Sequence, residues 1–106
     1  MFVAIVQIPM SKRPRDAAVE TACKSAPTYT ALGAQGLLKK YYLNGEAGGG
    51  GVYLWRSEAA ARAWYTPDWE KRMAAAFGAR PTVTYYDNHV VVDNETGKVH
   101  VDGQNT

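Results

Sequence analysis

The chain has 106 residues, 46% hydrophobic and 11% aromatic, a length that suits one domain and leaves no room for a separate cofactor-binding domain. Twelve Lys and Arg against ten Asp and Glu give a net charge of +2, too weak a field to hold the protein on nucleic acid or on a membrane surface. The lone Cys23 excludes an internal disulfide and a cysteine-based zinc site within one chain, and it fits the reducing cytoplasm.

The first segment, Phe2 to Ile8, is almost continuously apolar and ends at Pro9, which predicts a central strand covered on both faces. It has no basic residue ahead of it and no small-residue cleavage site behind it, so no signal peptide is expected. The eight apolar positions of MFVAIVQIPM fall well short of the roughly 20 needed to cross a bilayer. From Ser11 the period changes. Ala18, Ala22, Cys23, Ala26 and Tyr29 recur at helical spacing, predicting a helix opened by Ser11 or Pro14, kinked or restarted at Pro27 and ended by Gly33 and Gly36. Cys23 on that small-residue face reads as a buried spacer. In the strand that follows, Leu37, Lys39, Tyr41 and Leu43 point one way and Leu38, Lys40 and Tyr42 the other.

The glycines of NGEAGGGGVYLW raise the question of a phosphate site. A phosphate loop needs a terminal Gly-Lys-Ser/Thr and a following helix; here no such lysine follows and the next run, GVYLWRS, is β-type. The glycines therefore read as a hairpin, started by Asn44-Gly45 and completed by Gly48 to Gly51, with Gly51 in the strand as a bulge or where another backbone comes close. Beyond it, Ser57 caps one helical piece and Thr66-Pro67-Asp68 starts a second, with Trp69, Met73 and Phe77 on one face and Gly78 as the stop. A fourth strand lies within ARPTVTYYD, a further strand follows His89, a terminal hairpin turns around Glu95 to Gly97, and the closing GQNT is expected to fray.

The order is β-α-β-β-α-β with a β-type tail. It predicts an α+β, ferredoxin-like domain over residues 1–94, a four-stranded antiparallel sheet with its helices on one face, followed by a C-terminal tail over residues 95–106. The other sheet face is apolar and needs a cover. A second copy packed sheet to sheet supplies one, giving a homodimeric α+β barrel. RNA recognition modules share the element order, but they need basic and aromatic residues in register on the third strand, which GGGGVYLW lacks.

The runs GLLKKYYL, GGGVYLWRSEAAARAWYTPDW, FGARPTVTYYD and VVVDN, which span most of the chain from Pro27 to Asn94, resemble the YdhR-like monooxygenase family of the dimeric α/β-barrel superfamily. The resemblance implies a homodimer whose protomers each hold an aromatic-lined pocket between sheet and helices. It also implies cofactor-free oxygenation, in which an electron-rich phenol or enol is deprotonated and itself reduces dioxygen. That chemistry asks for an apolar cavity, a donor or cation at the developing oxyanion and a modest base, and no metal. Haem-degrading members of the superfamily hold iron on a helical histidine, a ligand this chain lacks because neither His89 nor His100 falls on a predicted helix.

Candidate residues follow from type and position. Trp55, Trp64 and Trp69, with Tyr42, Tyr65 and Tyr85, can wall a pocket or pack the core. Lys40 sits mid-strand beside Lys39, so one of the two faces a covered side; Lys40 is the candidate phenolate-stabilising cation. His89 has the right type for a general base and Tyr65 for a donor. Arg56 is expected to pair with Glu58 or Glu70. Two uses of such a pocket stay open: a monooxygenase acting on a small aromatic or polyketide-like compound, and a protein that binds a hydrophobic metabolite without turning it over.

Overall fold

Alternation in the first strand sets the frame. In a computed structural model describing residues 1–105, β1 (Phe2–Ile8) lies at the centre of a four-stranded sheet with β2 (Leu37–Gly45), β3 (Gly48–Trp55) and β4 (Thr82–Asp87), in the order β2-β3-β1-β4. Every neighbouring pair is antiparallel, an order compatible with a ferredoxin-like chain. Phe2, Ala4, Val6 and Ile8 are buried beneath the helices, whereas Val3 and Ile5, on the opposite face, are only half-buried. Within one chain β1 is thus covered on one face, not on both as its composition suggests.

Three helices cover that face. Helix α1 runs from Arg15 to Ala31, α2 from Glu58 to Trp64 and α3 from Pro67 to Phe77. The Ser57 and Thr66 hydroxyls accept from Ala60 N and Trp69 N, each at 3.2 Å, and satisfy the free donors of α2 and α3. Gly78 ends α3 in the left-handed region at φ 70°. Trp69 and Ala61 carry these two helices into a core shared with Phe2, Ala4, Tyr53 and Trp55. Helix α1 differs. It buries none of its residues, and it passes through Pro27 as one element without restarting. Cys23 is exposed rather than a buried spacer: the half-buried stripe is Ala18, Ala22, Ser25, Ala26 and Tyr29, and Cys23 stands one residue, about 100°, off it. Arg56 takes neither expected partner, since Glu58 pairs with Arg62 and Glu70 with Arg80.

The glycine run joins two strands, but its turn falls elsewhere than expected. Gly45 pairs with Gly48, so Glu46 and Ala47 make the turn while Asn44 and Gly45 lie in β2. The Asn44 side chain explains why: its Oδ1 accepts from Arg13 N and its Nδ2 donates to Arg13 O, both at 2.9 Å. It is spent on fastening the Met10–Pro14 segment to the end of β2. A bulge between Leu37 and Lys39 also breaks the simple alternation. Leu37 opposes Trp55 and Lys40 opposes Tyr53, so Leu37 shares the helix-side face with Lys40 and Tyr42 instead of lying with Lys39 and Tyr41.

After β4 the chain leaves the sheet. Strands β5 (Val90–Asp93), β6 (Lys98–Val101) and β7 (Gln104–Asn105) form a separate antiparallel meander, with Asn88 N donating to Met1 O at its root. Gln104 and Asn105 are paired with β6 rather than frayed; Thr106 lies outside the described residues. The second sheet starts at Val90, with the strand expected after His89, and turns at residues 94–97. The radius of gyration is 14.6 Å and the longest extent 43 Å, against a radius of about 13 Å for a compact chain of this length. This meander is an arm. No helix among the described residues is long and apolar enough to cross a membrane.

Candidate functional site: a lysine cavity beneath the first helix

Because α1 buries nothing, a space remains between it and the sheet. The cavity has a volume of about 140 Å³, close to the roughly 150 Å³ that accommodates one benzene ring. Val6 and Ile8 of β1 form its floor, Trp69, Met73 and Phe77 of α3 one wall, and Tyr29, Ala22 and Ser25 of α1 the roof. Lys40 and Tyr42 enter from β2, and Arg13 from the segment that Asn44 fastens.

The glycines make this geometry possible. Gly50 sits at φ 128°, where a side chain would collide with Val6 O. At Gly51 a Cβ would lie 3.1 Å from Lys40 Cε and 3.1 Å from the Tyr53 ring. With hydrogen there instead, the lysine stem can lie flat across β3. The run that resembles a phosphate loop thus serves a lysine.

Lys40 is the chemical centre of the cavity. Its Nζ lies 3.3 Å from the Tyr29 ring centroid, 3.9 Å from that of Tyr42 and 4.8 Å from that of Tyr53. It makes no ion pair among the described residues. Burial without a counter-ion lowers the ammonium from its ordinary value to about 7. The three ring faces act in the opposite sense, since cation–π attraction favours the charged form. Desolvation is the larger effect, and the amine exchanges its proton closer to neutrality than an exposed lysine.

Two of the rings above Lys40 cannot serve as bases. Burial raises the Tyr29 and Tyr53 phenols above their ordinary range, so both stay protonated at neutral pH. Tyr42 is held by a 2.7 Å hydrogen bond with Ser25 Oγ. The indole Nε1 of Trp69 is buried with no hydrogen-bond partner, and so is Nε of Arg13. Both residues line the cavity.

The sequence-derived candidates separate into four groups. Lys40, Tyr42 and Trp69 meet at the cavity. Trp55, Tyr65 and Tyr85 form a second aromatic block with Phe2, in which Trp55 Nε1 donates to Tyr65 Oη at 3.1 Å and Arg62 covers Tyr85 at 4.5 Å. Burial raises the Tyr65 phenol, and its hydroxyl is engaged inside the core. Trp64 packs edge-on against Tyr29, beneath Arg72, outside the cavity wall. His89 stands at the root of the arm, 3.0 Å from Asp102 Oδ1, with both side chains exposed. The β-α-β-β-α-β order gives Tyr29 only a place on a helix face and Arg13 no role at all. The one available hint was an arginine directly before the proline that opens α1.

Among the described residues no group of three His, Cys, Asp or Glu could hold a metal ion. No protein-family model matches the chain, and no curated protein matches it.

Proposed function

We propose that the cavity beneath α1 binds a single-ring phenolic compound and that Lys40 takes its proton, making the protein a cofactor-free monooxygenase of the YdhR-like kind. The observation that carries this reading is a lysine without a counter-ion in a ring-sized, aromatic-lined cavity. The neutral amine accepts the phenol proton, and the resulting ammonium stays against the phenolate it has made. The electron-rich ring then reduces dioxygen: a hydroquinone and O2 give a hydroxyquinone and water, one oxygen atom entering the ring and the other leaving as water. All electrons come from the substrate.

The cavity volume narrows the substrate class. One ring fits as the protein stands, while a polyketide-like compound would require α1 to lift. The second reading, a metabolite-binding protein without turnover, is favoured by the lack of any carboxylate or histidine in the cavity wall to assist Lys40.

The homodimer belongs to the same proposal. The outer sheet face carries Val3, Ile5, Val52 and Leu54, all half-buried, flanked by the exposed Tyr41 and Tyr86. A second copy would cover it, with the arm reaching alongside. An exposed single cysteine supports a reducing, cytoplasmic setting.

Oxygen uptake with single-ring hydroquinones in the presence of a chelator tests the enzyme reading. Saturable uptake that Lys40→Met removes supports catalysis. Binding without uptake above the uncatalysed rate supports the metabolite-binding reading.

A further inference from the structure

Around the cavity, hydrogen-bond donors outnumber acceptors. Arg13 and Lys40 both line it, and neither has an ion pair among the described residues. Trp69 Nε1 and Arg13 Nε are buried without partners. No Asp or Glu contributes to the wall. Glu46 lines a shallow groove on the Met10–Pro14 segment but forms no ion pair with Arg13. The available hydroxyls are already engaged, Thr21 to Ala17 O and Ser25 with Tyr42.

Buried donors of this kind are expensive to leave unmatched. A guanidinium and an amine with no carboxylate partner, around an apolar space the size of one ring, call for a ligand that is apolar in its body and anionic at its edge. Arginine adds specificity, since its planar fork matches a carboxylate with two parallel hydrogen bonds.

We infer that the cavity selects aromatic carboxylates of one ring, with Arg13 as the carboxylate-binding residue and Lys40 facing the ring's remaining oxygen. This rests on the reading that the cavity holds an aromatic ring, and it adds the anionic group.

Calorimetric titration of the full chain with phenol, benzoate and 4-hydroxybenzoate tests it. A charge-assisted pair predicts that 4-hydroxybenzoate binds at least about tenfold more tightly than phenol. Arg13→Gln should remove most of that advantage; Arg13→Lys should restore part of it. The Asn44 clasp uses only the Arg13 backbone, so the variants keep the segment in place. Should Arg13→Gln still unfold, the wild type decides: raising salt from about 0.05 to 0.5 M should weaken 4-hydroxybenzoate and spare phenol. Phenol binding as tightly as 4-hydroxybenzoate would overturn the carboxylate inference alone. Failure of all three compounds to bind would overturn the ring-binding reading, and this inference with it.

Discussion

Two residues, Lys40 and Gly51, depend on each other. A lysine held over three phenol rings needs flat ground beneath its stem, and Gly51 supplies it. Gly51→Ala places a methyl group 3.1 Å from Lys40 Cε, from Tyr41 O and from the Tyr53 ring; the lysine can move, so we expect a loss of about 1 kcal/mol in urea denaturation together with weakened ligand binding. Gly50→Ala should cost more, about 3 kcal/mol or beyond, because φ 128° and the Val6 carbonyl leave no room to adjust. Gly33→Ala, with nothing within 4 Å of the new Cβ, should be near neutral. Lys40 also makes a pH prediction. Its folded-state pKa is lowered toward about 7, so between that value and the ordinary lysine range the unfolded chain binds more protons than the folded one. Stability from this residue therefore rises with pH across that window and is lost as pH falls through it. Lys40→Met should be more stable than wild type at pH 7, with the difference in Tm shrinking toward pH 10. A difference that is flat or grows with pH would show that the ammonium is not desolvated.

At the scale of elements, the helices differ in how firmly they are held. Helix α3 buries Trp69 and is capped by Thr66; Thr66→Ala should cost about 1 kcal/mol. Helix α1 has no side-chain cap, carries Pro27 internally and buries no residue, so hydrogen exchange should run faster in 15–31 than in 67–77 and slow when a ligand fills the space beneath it. The strands and the two capped helices were legible in the sequence, because alternation, Ser57 and Thr66-Pro67 are local signals. The bulge after Leu37 was not legible: it depends on how β2 meets β3, and it moves Leu37 to the face of Lys40. The Glu46–Ala47 turn was hidden for a similar reason, since Asn44-Gly45 is the stronger local turn signal but Asn44 is taken by a backbone 31 positions away. The candidate residues were legible by type only. Which aromatics pack and which line a cavity was decided by the space left between α1 and the sheet, for which no short stretch of sequence carries a code.

For the whole molecule, one sheet covered on one face and an arm extending the long axis to 43 Å describe a protomer with unfinished surfaces. Sedimentation equilibrium should give twice the protomer mass, and Tyr41→Glu with Tyr86→Glu should shift it to a monomer by placing charge on the apolar outer face. A wild-type monomer would remove the proposed barrel and leave the cavity untouched, since every residue lining it comes from one chain. The central claim is that this cavity is a ligand site. It is tested most directly by the three tryptophan indole N–H resonances during titration with 4-hydroxybenzoate. Trp69 lines the cavity and its Nε1 has no partner, whereas Trp55 Nε1 is bonded to Tyr65 and Trp64 lies outside. The account predicts a saturable shift of the Trp69 resonance, with the Trp55 resonance nearly still. No shift at Trp69, or a shift confined to Trp55 or Trp64, would contradict it.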